Sequence, residues 1–399
     1  MSAIISTRPR NGLPPISLSL AVTIAMLGLS WRAVSIDMDV FLIPWFDHIV
    51  DRGRVAVFSH PFSNYTPPYL YLLSAATLLS GLLPKVTIIK LLAVVGNGVL
   101  ALSVRRLLLA LDSPDADRGA ALVFALPTVL INGGILGQAD AWWAAACVAA
   151  LSYAVKRRHV AMLAWCGVAI AFKAQAAFIA PFFVALLIAR RVPVWKWLTT
   201  PFAAVTMMLP ALILGWPVFD LATVYIDQAD LSQQLSNNAP NIWMILQVLP
   251  GADVLPLTAI AFGMTLIAMI LYVWWFARRD MEGQALVAAA LLAPLITVGL
   301  LPRMHDRFFF LADILSLVLA VTRRDGRGWQ IAALIQAGSA LAICAFMFRF
   351  IEFAMAGAVA MIIATFLLLR SLVITSPPTF RTRLCFSKLE RLRHRFQRT

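Results

Sequence analysis

Acidic residues are the rarest chemistry in this chain: 19 Asp and Glu stand among 399 residues, against 33 Lys and Arg. Charged residues of all four types make up only 13%, about half the usual share in a soluble domain. So little charge cannot clothe a water-facing surface of this size, which argues against an ordinary soluble enzyme. Cysteine is scarce too. Cys147, Cys166 and Cys344 lie in apolar runs and Cys385 in a basic tail, with no CxxC and no Cys/His pair at metal spacing. Neither a disulfide framework nor a zinc site is therefore expected. The chain also lacks a P-loop, a GxGxxG turn and an HExxH helix, which argues against an ATP-driven pump or a zinc protease. No solenoid-length repeat and no polar stretch long enough for a separate soluble domain are visible.

Apolar side chains are in excess. They make up 61% of the chain, and the mean hydropathy is +0.84. This composition predicts an all-α, polytopic membrane protein, because a spanning backbone must satisfy its own hydrogen bonds. The net charge of +14 comes from short Lys/Arg clusters between apolar runs. That pattern fits the positive-inside rule and anionic headgroups, and it does not suggest nucleic acid. The N-terminal "ISLSLAVTIAMLGLSW" lacks an obvious cleavage site after its basic start and reads as a retained first span, about residues 15–34.

If Arg8 and Arg10, Arg105–Arg106, 156–158, Arg190–Arg191 with Lys196, Arg278–Arg279, 323–327 and the tail from Arg370 are all cytoplasmic, about twelve crossings satisfy them. Both termini are then inside. Residues 67–104 are long enough for two spans, yet the charge pattern asks for one crossing plus a surface-lying or re-entrant piece. The division expected is a transmembrane module over 1–215 with a catalytic first loop, a second over 216–373, and a basic tail over 374–399. The tail reads as an anchor on anionic lipid.

This topology collects the unusual polar residues on one side. After the first span comes "SIDMDVFLIPWFDHIVDRGR", with Asp37 and Asp39 ahead of an aromatic, amphipathic segment suited to the interface. "FSNYTPPYLYLL" follows, where Pro67–Pro68 should start a helix. "GQAD" (137–140), "FKAQ" (172–175) and "LPRMHDR" (301–307) lie at the same end. The apolar runs beside the first two are short for full spans, so these loops should dip into a cavity. Asp140 and Lys173 are costly in such runs unless they face a cavity or pair with each other. Trp142 suits either a membrane-interface belt or a sugar-stacking surface. Arg303 and Arg307 on an outer face oppose the positive-inside rule, and an anionic ligand would explain them; a structural salt-bridge cluster is the plainer alternative. His305 could donate to a phosphate or accept a proton. A hydrolase triad is not supported, since His305 and Asp306 have no Ser or Cys at an informative spacing.

The acid after the first span, the "YTPPYLYLL" helix start, "GQAD", "FKAQ" and "MHDRFFF" together resemble the GT-C superfamily of integral-membrane glycosyltransferases that use polyprenyl-phosphate-linked sugars. Ser35, Asp37, Phe41, Pro44 and Trp45, with "LSNNAPNIW" (235–243), resemble the bacterial group related to glycosylphosphatidylinositol mannosyltransferases. The resemblance covers roughly residues 20–320. It implies a GT-C-like helix bundle of about 12 spans with interfacial helices in the first extracytoplasmic loop. It further implies a polyprenyl-phosphate sugar donor, a lipid or glycan acceptor, and inversion at the anomeric carbon. Asp37 would be the catalytic base, supported by Asp39 and Asp140. Lys173, Arg303, His305 and Arg307 would meet the donor phosphate. Gln138, Trp142, Tyr65, Gln175 and Asn241 would contact acceptor or sugar. No metal is assigned and no cofactor is expected; the Asp37/Asp39 pair leaves a divalent ion open. The location implied is a bacterial inner membrane with the site on the periplasmic face, and mannose is the sugar suggested. The alternative is a transporter or flippase for a lipid-linked glycan, which would share the intramembrane charges but should show inverted repeats.

Overall fold

The computed structural model describes residues 16–229, 234–252, 255–323 and 325–375. Arg8, Arg10, Asp230 and the basic tail with Cys385 lie outside them.

Among the described residues, six helices are long and apolar enough to cross a membrane: Lys85–Ala110, Val194–Ile213, Leu257–Phe276, Gly283–Leu300, Gly326–Phe348 and Ile351–Val373. A pair bent by 44°, Ala116–Val123 with Pro127–Ile135, makes one further pass, and Pro127 at the break explains the bend. Five shorter apolar helices accompany them: Ala21–Ser30, Asp140–Val155, His159–Phe172, Ala174–Ala189 and Phe310–Thr322. Residues 67–104 contribute one long helix, Lys85–Ala110, preceded by a ten-residue helix, Pro67–Ala76.

Helix length positions the site. Asp140–Val155 has 16 residues, roughly 24 Å at ~1.5 Å per residue, against ~30 Å of hydrocarbon. At its N-terminal end Gln138, Ala139 and Asp140 are buried. Asp140–Val155, Gly283–Leu300 and Phe310–Thr322 are buried along most of their length and form the core. Val194–Ile213 and Leu257–Phe276 instead expose Phe202, Val205, Leu266 and Ile267. An apolar helix exposed in this way suits lipid as its solvent.

The first loop after Ile16–Ser30 carries a π-helical turn, Met38–Leu42, that runs into the amphipathic helix Ile43–Arg52. Trp45, Phe46 and Ile49 are buried on one face, while Asp47 pairs with Lys85 on the other at 2.6 Å. Pro67 and Pro68 open the next helix, where missing N–H groups leave nothing unsatisfied. Opposite them, Ser236–Asn237 pairs in parallel with Met304–His305. This two-residue ladder ties the "LSNNAPNIW" segment to the loop 301–307.

Candidate active site

Several short hydrogen bonds fasten the Asp37 segment to the loop at residues 134–138. Ser30 Oγ donates to the Gly134 carbonyl at 2.9 Å, and Ser35 Oγ to that of Leu136 at 3.3 Å. Ser35 Oγ also accepts from the Met38 amide at 3.2 Å, setting the turn that follows Asp37. Lys90, buried in the second pass, donates to the Ser30 carbonyl and caps the end of the first. Gly137 has φ +66, and a Cβ there would lie 2.5 Å from Met38 Cε and 3.3 Å from Ile89 Cγ2. Gly137→Ala should therefore cost about 1–2 kcal/mol from the left-handed backbone alone and displace the residue beside Asp37. The expected result is lower thermal stability in detergent together with slower turnover; unchanged values for both would refute this role.

A cavity of about 580 Å³ opens between this loop and residues 301–308. Asp37, Tyr65, Gln138, Lys173, Gln175, Arg303, His305 and Arg307 all line it. The structure thus gathers eight of the twelve expected site residues from five separate stretches of chain.

The charges are arranged in two sets. Arg307 Nη2 forms an ion pair with Asp37 Oδ2 at 2.6 Å, and Gln138 Nε2 donates to the same oxygen at 3.1 Å. The Asp37 side chain is 21% exposed and lines the cavity. Behind this pair, Lys173 Nζ donates to Asp140 Oδ1 at 2.7 Å and lies 5.0 Å from the Tyr65 ring centroid. Asp140 also accepts from Trp143 Nε1 at 3.0 Å and Asn132 Nδ2 at 3.1 Å. It is 3% exposed. With three donors on it, Asp140 fixes Lys173 and has no free lone pair aimed at a substrate.

Burial works against the charge on Lys173, but the Asp140 carboxylate outweighs it and the net shift is upward. Arg307 is likewise held charged despite burial, by Asp306 and Asp37. His305 differs. Burial pushes its imidazole down to about 4, and Arg307 adds to the effect. It is neutral at pH 7 and can offer an N–H or a lone pair, but no positive charge. Its lowered value means that the unfolded chain binds the extra proton first, so His305 contributes a loss of stability as pH falls from about 6.5 towards 4. Wild type should therefore lose up to ~3 kcal/mol relative to His305→Gln over that window. Parallel unfolding curves for the two proteins across it would refute the assignment.

Four expected residues lie off the cavity wall for clear physical reasons. Asp39 is exposed on the outer side of the turn. Trp142 stacks on Phe172 at 6.3 Å and packs its Nε1 against Gly96, so it serves helix packing. Asn241 is 1% exposed. It caps the helix Ile242–Leu246 by accepting from the Met244 amide at 3.1 Å and donates to the Val298 carbonyl at 3.3 Å. Asp140 stands behind Lys173.

The structure adds residues that sequence reasoning left without a role. Asp306 lines the cavity, is 1% exposed, and has Oδ1 3.9 Å from Arg307 Nε. Burial lifts its carboxyl to about 6 against the opposing pull of Arg307. Its place between His305 and Arg307 was the available signal. Tyr225 also reaches the wall, anchored by donating to the Ile170 carbonyl; nothing in its local sequence marks it. Phe41, Trp45, Phe178, Phe262 and Phe346 make the remainder of the wall strongly apolar. Among the described residues, no three His, Cys, Asp or Glu side chains gather so as to hold a metal ion.

Residues 45–190 match the family described as alpha-(1->6)-mannopyranosyltransferase, N-terminal domain. The match includes Gln138, Asp140, Lys173 and Gln175 and excludes Asp37 and the loop 301–307. A comparison with curated proteins found no match. Among solved structures, the chain resembles ArnT from Cupriavidus metallidurans, crystallised with undecaprenyl phosphate. The TM-score is 0.51 at 16% identity, over 89% of this chain and 76% of that one. Residues 45–190 are thus similar to a mannopyranosyltransferase domain, and the chain as a whole shares the fold of ArnT.

Proposed function

We propose that the chain transfers a sugar, mannose by the matched domain, from a polyprenyl-phosphate donor to an acceptor hydroxyl. The reaction would take place at the extracytoplasmic face of a bacterial inner membrane. One observation carries the reading: a partly exposed carboxylate and two ion-paired cations share a single cavity. That the ArnT structure holds undecaprenyl phosphate supports the donor class.

The chemistry follows from the positions. The acceptor O–H donates to Asp37 Oδ1, which takes the proton as the oxygen attacks the anomeric carbon. The new C–O bond forms as the bond from sugar to phosphate breaks, and the electron pair leaves on the phosphate oxygen. A single displacement inverts the anomeric centre. Charge grows on the departing phosphate, where Arg307 and Lys173 stabilise the transition state more than the ground state. Arg303 lies on the same wall. His305, neutral, can donate one hydrogen bond. The aromatic wall keeps water away from the reacting carbon and suits a polyprenyl chain.

The test is transfer by the purified chain in proteoliposomes, supplied with polyprenyl-phosphate mannose and a membrane glycolipid extract as acceptor. Labelled mannose should appear in a new glycosidic product. Donor that crosses the bilayer with its sugar–phosphate bond intact, and no product, would favour the transporter reading and overturn this one.

A further inference from the structure

Arg307 is committed to Asp37 through one arm only. Nη2 sits on the carboxylate at 2.6 Å, Nε is 3.9 Å from Asp306, and Nη1 is buried with no hydrogen bond among the described residues. A guanidinium binds phosphate best through two parallel N–H groups. The two parallel pairs of a guanidinium are Nη1/Nη2 and Nε/Nη2, and both use Nη2, which Asp37 occupies. Lys173 cannot swing to substitute, because Asp140 holds it from behind. Gln138 keeps its own hydrogen bond to Asp37 Oδ2, so the carboxylate stays oriented if Arg307 turns away.

We propose that Arg307 couples the two substrates: donor phosphate competes with Asp37 for this guanidinium, and the carboxylate loosened by that competition receives the acceptor hydroxyl, so the donor binds first. The proposal rests on the reading of Asp37 as base and Arg307 as phosphate ligand given above. It adds that the two roles oppose each other before chemistry. A base merely oriented by a neighbouring arginine would show no such antagonism.

Linkage makes the idea measurable without turnover. If phosphate weakens the hold of Arg307 on Asp37, then Asp37 must weaken phosphate binding by the same factor. Undecaprenyl phosphate binding to the full chain in nanodiscs reads this directly. Asp37→Asn should bind about five- to tenfold tighter than wild type, the lower part of the usual range for coupling between two sites. In an Arg307→Gln background the same substitution should change affinity less than about twofold. Asp51→Asn removes a carboxylate from the exposed side of the same segment and controls for bulk charge; it should leave affinity unchanged. Equal or weaker binding by Asp37→Asn, in protein whose unfolding temperature matches wild type, overturns the coupling. A gain that persists in Arg307→Gln, or that Asp51→Asn reproduces, overturns it as well. Failure of the base assignment is separate: it would appear as normal sugar transfer by Asp37→Asn, whatever its affinity.

Discussion

Asp37→Asn should lower sugar transfer by at least about a thousandfold while leaving the protein folded. The magnitude is that of losing a positioned general base, typically 10²–10⁴-fold, at its upper end because no neighbour can take over. Asp140 is buried and already accepts from Lys173, Trp143 and Asn132, and Asp39 is exposed off the cavity wall. Asn keeps the shape of the side chain and can still accept from Gln138. Folding should survive because Asp37 is partly exposed, its side chain at 21%. The measurement is turnover with saturating donor, alongside a thermal unfolding curve. Transfer within tenfold of wild type would remove Asp37 from the role of base.

The second large effect concerns Asp140, and it should appear first in stability. Replacing Asp140 by Ala leaves Lys173 charged, buried and unpaired, which costs about 3–5 kcal/mol. Asn132 Nδ2 and Trp143 Nε1 lose their acceptor in the same step. The double variant Asp140→Ala/Lys173→Met removes both charges and should recover much of the stability. It should recover no activity, because the cation facing the phosphate has gone with it. Denaturation in detergent for the four members of this cycle gives the coupling energy directly. If the double variant is no more stable than Asp140→Ala, the pair does not hold Lys173 in the way proposed. If Asp140→Asn is inactive but fully stable, a chemical role for Asp140 returns.

How much of this could be read beforehand varies residue by residue. The single crossing within residues 67–104 was legible because Arg105–Arg106 would otherwise have changed sides, and charge sidedness is a strong local signal. The pairing of Lys173 with Asp140 was legible too: two opposite charges in short apolar runs at one end of a bundle have few other ways to be satisfied. Asn241 and Trp142 were not legible. Their polar and aromatic character suits a sugar site as well as a helix cap or a packing contact. Only the neighbours supplied by Val298, Phe172 and Gly96 separate these uses. Asp306 was visible in its run of charges but could not be weighed, since its significance comes from being 1% exposed beside Arg307.

By itself, the amino-acid sequence determined that this chain is an apolar helical membrane protein, and it singled out Asp37, Asp140, Lys173 and Arg307 as polar residues in unusual places. Those properties follow from hydropathy, length and charge, each summed along the chain. Tertiary structure alone decided which carboxylate is open. Asp37, Asp39 and Asp140 are chemically alike, and their difference arises from Arg307, Gln138 and Lys173, which reach them from elements far apart in sequence. A side chain's basicity and accessibility depend on the fields and donors around it, and helix packing, not local sequence, sets those.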